Sequence, residues 1–160
     1  METPTDIFKQ ALRNEVHASA FFAKAADLTR DDASRMLFLE LAGMEDGHAG
    51  RLVEKGQKAP CNHGFDMVAF LKELEGSVDP AIPPDEMAII EQGDPKAVLR
   101  LAIDLEAKSM KTYARLADEA IDLEIKSFCL EQVKEEAGHG NALTKLLHSM
   151  DMDPEDRPGL

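Results

Sequence analysis

Residues 40–52 read ELAGMEDGHAGRL, and residues 131–143 read EQVKEEAGHGNAL. Each stretch carries Glu-x-x-His on an unbroken run of helix-compatible residues: Glu45 with His48, and Glu136 with His139. Positions i and i+3 share one face of an α-helix, so each pair presents a carboxylate and an imidazole in the same direction. Extending both stretches toward the N-terminus reaches a second glutamate, Glu15 in one case and Glu106 in the other, each 30 residues before the Glu-x-x-His.

The extension exposes an internal repeat. A shift of 91 residues lays 15–52 on 106–143 without a gap, and 11 of the 38 positions are identical. They include Glu15/Glu106, Asp31/Asp122, Leu39/Leu130, Glu40/Glu131, Glu45/Glu136, Gly47/Gly138, His48/His139 and Leu52/Leu143. Both halves are rich in Ala, Leu and Glu, which alone produces some coincidences. It does not readily produce two copies of Glu, a 30-residue interval and Glu-x-Gly-His. Two helical hairpins related by a pseudo-two-fold axis are the simplest reading.

Four long helices are expected. The first covers residues 4–28, with Thr3 and Asp6 as its capping pair and Pro4 at its first position. The second covers 32–55, capped by Asp31 or Asp32 and ended by Gly56. The third starts at Asp94-Pro95 and runs to about residue 120, and the fourth covers 123–148. Links of a few residues make each pair an antiparallel hairpin. Between the hairpins lies a stretch, 57–93, containing Pro60, Pro80, Pro83 and Pro84. Short helices are expected near 66–74 and 85–91, and a connection this long can run the length of a bundle. The expected fold is all-α: a four-helix bundle of two antiparallel hairpins joined by one long crossover. The bundle domain covers 1–150; a flexible tail, 151–160, carries two prolines and four acidic residues.

Each long helix carries an apolar stripe with gaps of three and four, interrupted near its middle by a glutamate. The stripes run Phe8, Leu12, Glu15, Phe22; Leu37, Leu41, Glu45, His48, Leu52; Leu99, Ala102, Glu106, Tyr113; and Ile125, Cys129, Gln132, Glu136, His139, Leu143. No Lys or Arg lies on them. An unpartnered carboxylate in an apolar core costs several kcal/mol, so it either neutralises or finds a counter-charge. Two divalent cations balance four carboxylates, and neutral imidazoles add ligands without charge. The expected ligands are Glu15, Glu45, His48, Glu106, Glu136 and His139, with Glu45 and Glu136 bridging. Carboxylates with one imidazole per metal suit iron or manganese better than a thiolate-rich site would, and zinc is an alternative.

This pattern resembles the ferritin-like di-iron superfamily, and is most similar to its rubrerythrin or erythrin branch. The resemblance covers both hairpins. It implies two iron ions on the six residues above, an oxidoreductase reacting with peroxide or dioxygen or oxidising ferrous iron, and a homodimer. Rubrerythrins carry one more glutamate a turn after the third-helix ligand, where this chain has Ser109, and a rubredoxin-like domain with two CxxC pairs. This sequence has only Cys61 and Cys129 and no CxxC, so an external electron donor is expected. Iron storage is the alternative function, and a metal that only stabilises the bundle is another.

Tyr113, seven residues after Glu106, is either a hydrogen-bond donor or oxidisable neighbour of the site, or an ordinary core tyrosine. Phe22 occupies its place in the first repeat. Glu40 and Glu131 lie about 140° round the helix from the ligands and read as surface residues. His17, His63 and His148 have no repeat mates and read as solvated. Gly47 and Gly138 suggest close helix approach or room for the site. The net charge of −13 with no basic stripe argues against nucleic acid and against an anionic membrane surface. Without a signal-like N-terminal segment or an apolar span, a cytoplasmic location is expected.

Overall fold

The computed structural model describes residues 1–77 and 82–158; Pro80 of the crossover and Gly159 and Leu160 of the tail lie outside them. Among the described residues there are six α-helices and no strand. They are α1 (Pro4–Leu28), α2 (Asp32–Lys58), α3 (Met67–Glu75), α4 (Pro84–Gln92), α5 (Pro95–Glu119) and α6 (Leu123–Ser149). Local chemistry explains most of the boundaries. Thr3 and Asp6 form a reciprocal capping box at α1. Asp31, Asp94 and Asp122 accept backbone N–H groups at the starts of α2, α5 and α6. Gly93, at φ 75°, ends α4 in a left-handed conformation that costs glycine little.

One boundary differs from expectation. Gly56 does not end α2, which continues to Lys58. A Cβ at Gly56 would lie 3.1 Å from both Met67 Cε and Phe8 Cδ1. The glycine thus serves close packing of α1, α2 and the crossover, and contacts from distant residues carry the helix past it.

α1 packs along α2 and α5 along α6, and α1 also packs against α5, joining the hairpins. The interior falls into two apolar clusters. One holds Phe21, Phe22, Phe38, Leu41, Leu99 and Leu143. The other holds Phe8, Leu12, Leu52, Met67, Leu116 and Phe128. α2 ends in the second cluster and α5 begins in the first, so the crossover travels the length of the bundle. α3 rests on α1 and α2, and α4 on α1 and α5.

The crossover also corrects the reading of His17. It is not simply solvated: its Nε2 lies 2.5 Å from Glu86 Oε2 of α4, with both side chains less than one-fifth exposed. His63 and His148 are exposed, as are Glu40 and Glu131. Gly47 and Gly138 face open space, with no atom within 4 Å of an added Cβ, so close helix approach does not explain them, and nothing else in the structure does. No helix among the described residues is long and apolar enough to cross a membrane. Asp151 of the tail pairs with Lys96, and residues Pro154–Asp156 form a 3-10 turn.

Candidate metal centre

The layer between the two apolar clusters is polar and buried. Glu15 and Glu45 are 0% exposed, His48 and Glu136 1%, Glu106 2% and His139 7%. Such burial of four carboxylates without Lys or Arg among their partners is what the interrupted stripes anticipate.

Each histidine reaches across to the opposite hairpin. His48 Nδ1 lies 2.9 Å from Glu136 Oε1, 3.4 Å from Glu45 and 3.5 Å from Glu15. His139 Nδ1 lies 2.9 Å from Glu45 Oε1, 3.4 Å from Glu136 and 3.6 Å from Glu106. The two rings stack 5.3 Å apart at 6°. The arrangement is the expected pseudo-two-fold. Two overlapping groups have ligand atoms mutually within 4.8 Å: Glu15, Glu45, His48, Glu136 and Glu45, Glu106, Glu136, His139. Glu45 and Glu136 belong to both.

Hydrogen bonding satisfies only part of this cluster: His48 Nδ1 and Glu136 Oε1 pair at 2.9 Å. Both oxygens of Glu15 and of Glu45, one each of Glu106 and Glu136, and His139 Nδ1 are buried with no hydrogen-bond partner. His139 Nδ1 is close to Glu45 Oε1, yet the two are misaligned for a hydrogen bond. Buried polar atoms normally find partners, and those that do not call for an ion or a chemical role. Oxygen and imidazole donors gathered into two overlapping groups fit divalent first-row metals such as iron or manganese.

Residues 6–147 match the family described as Rubrerythrin. The chain belongs to the rubrerythrin family. No curated protein and no solved structure gives a significant match. This ferritin-like di-iron family and the buried carboxylate–histidine cluster agree with each other.

The site's electrostatics follow from burial and pairing. Burial raises Glu15 well above the ordinary carboxylate range, and it raises Glu106 to about 9. Burial also works against the charged forms of Glu45 and Glu136, but the imidazoles outweigh it and hold both below that range. The histidines are the counterpart. Burial disfavours their charged form, yet the surrounding carboxylates raise His48 strongly and His139 to about 11. With protons alone, the cluster balances as two carboxylates, two imidazoliums and two carboxylic acids.

Tyr113 is fully buried, and its hydroxyl has no hydrogen-bond partner. Burial, then the nearby Glu15 carboxyl, raises its pKa well above the usual value, so it keeps its proton. The ring stands edge-on to Phe128. Gln132, one turn before Glu136, is likewise buried with an unpartnered Oε1. The Cys129 thiol is buried on the core stripe, and burial lifts its pKa to about 12, which makes it an inert side chain.

Two residues near the site are absent from the sequence-level reading. Glu135 Oε2 lies 2.7 Å from His48 Nε2, and Arg51 Nη2 donates to the same oxygen at 2.9 Å. Glu135 escapes notice because it has no repeat mate: its counterpart is Met44. Its adjacency to the candidate ligand Glu136 is the one signal the sequence offers.

Proposed function

We propose that this chain is a di-iron carboxylate oxidoreductase that reduces peroxide or dioxygen. Glu45 and Glu136, which belong to both ligand groups, would serve both metals, with Glu15 and His48 completing one set of ligands and Glu106 and His139 the other. The single observation that carries this reading is the gathering of unpartnered buried carboxylate oxygens and His139 Nδ1 into two overlapping ligand groups. Two ferrous ions held there would supply one electron each to the bound oxidant.

The remaining roles belong to the chain. Phe22, Phe38 and Leu41 on one side, and Leu12, Leu52 and Leu116 on the other, close the two ends of the layer with apolar side chains. The Tyr113 hydroxyl, buried and without a hydrogen-bond partner, keeps its proton beside Glu15 and is free to donate a hydrogen bond toward the cluster. Turnover would draw its electrons from a donor outside the bundle, which itself carries no CxxC pair.

The test is anaerobic loading with ferrous iron, followed by rapid mixing with peroxide or dioxygen while ferric absorbance is recorded. Oxidation of two irons per peroxide, much faster than that of ferrous iron in buffer, is expected. Tyr113→Phe should slow that step while leaving iron binding and thermal stability intact, because it removes a hydroxyl that bonds nothing in the protein. Oxidation no faster than free iron would leave only a structural metal.

A further inference from the structure

Given two metal positions as proposed above, we infer that they are unequal. The position of Glu106 and His139 is open to small ligands and to metal exchange through a groove between α5 and α6. The position of Glu15 and His48 is closed. The repeat makes the comparison internal, because every residue of one hairpin has a counterpart 91 positions away in the other.

A groove of about 240 Å³ lies between Ala107 and Met110 on α5 and Ala137, Gly140 and Thr144 on α6, and it reaches Glu106 and Glu136. The equivalent seam between α1 and α2 is bridged. Ser19, the counterpart of Met110, donates from Oγ to Asp46 Oδ1 at 2.6 Å, and Asp46 is the counterpart of Ala137. Val16 stands where Ala107 would leave space, and Ala49 where Gly140 would. A hydrogen bond and two larger side chains therefore cover the approach to Glu15, whereas Ala107, Ala137 and Gly140 leave the approach to Glu106 open beside Met110.

The histidines differ in the same sense. His48 Nε2 is held by Glu135, itself tied to Arg51, so the ring is fixed with Nδ1 turned to the carboxylates. Partners of this kind fix the tautomer and orientation of a ligating imidazole, and their loss typically costs about 10- to 100-fold in metal affinity. His139 Nε2 has no such partner among the described residues, and Met44, 43% exposed, occupies the place of Glu135. His139 is also the more exposed ring, at 7% against 1%. Glu135 thus acts as a positioning residue for one metal only.

The test uses whole protein loaded with cobalt(II), with release into excess EDTA followed by the visible absorbance of the bound ion. Two phases of equal amplitude are expected, differing by at least about tenfold in rate. Ala107→Leu, which fills the groove, should slow the fast phase alone. Glu135→Gln should speed the slow phase alone, and Ser19→Ala should do so too by opening the bridged seam. Two cobalt ions per chain released in a single phase, or Glu135→Gln acting on the fast phase, would overturn the inference while leaving the two-metal reading intact. Loading that stops at one cobalt would instead sink the two-metal reading.

Discussion

Replacing Glu45 with Gln keeps the volume of the side chain and removes one buried charge shared by both ligand groups. Glu45 is 0% exposed and lies 2.9 Å from His139 Nδ1 and 3.4 Å from His48 Nδ1. It therefore faces both halves of the cluster. Removing one member of a buried charge set costs about 3–5 kcal/mol, because the others lose their compensation. At about 1.4 kcal/mol per tenfold, that is a fall of about two to three and a half orders of magnitude in affinity. Both metals should feel it. His48→Ala makes the contrast: it removes a neutral ligand of one position and should weaken one metal while the other stays. Competition with a coloured chelator, with total bound metal counted on the same samples, reads both variants. Glu45→Gln binding two metals at near wild-type affinity, or His48→Ala losing both equally, would refute the shared role of Glu45.

Two further outcomes follow from the electrostatics and the packing. Glu106 and His139 have folded pKa values raised to about 9 and about 11, from 4.5 and 6.5. A raised folded pKa gives stability that is lost as pH rises, here across about pH 5 to 9 and beyond. Glu45 and Glu136, shifted down, matter only below that window. The melting temperature of metal-free protein should therefore fall from pH 5 to pH 9, while metal binding tightens as protons leave its ligands; a metal-free melting temperature that rises over this range would contradict the ionisation pattern. Gly138→Ala should gain about 0.5–1 kcal/mol, because it adds a methyl in open space on a helix. Gly56→Ala should lose about 1 kcal/mol, as overpacking against Met67 and Phe8 exceeds the gain in helix propensity. Urea melts giving both changes the same sign would contradict the packing at Gly56.

What could be read from the sequence was local or repeated. The capping box of Thr3 and Asp6, Asp31 before α2 and Asp94-Pro95 before α5 act within one turn, and each marks its helix start. The six buried ligand candidates were legible because each interrupts an apolar stripe and has a mate 91 residues away. What escaped depends on neighbours far along the chain. Gly56 looked like a helix end, but Phe8 and Met67 close over it. His17 looked solvated because nothing local announces that α4 brings Glu86 beside it. Glu135, Arg51 and the Ser19–Asp46 bridge break the repeat, so symmetry pointed away from them. The same breaks make the two halves of the site chemically different.

The buried layer is expected to hold two metal ions on four carboxylates and two imidazoles. Elemental analysis of protein saturated anaerobically with ferrous iron and then desalted tests it most directly, with Glu45→Gln beside wild type as the control for adventitious binding. Two irons per wild-type chain, and none retained by the variant after desalting, is the predicted result. A wild-type value that saturates at one or below, or two irons retained equally by both proteins, would contradict it.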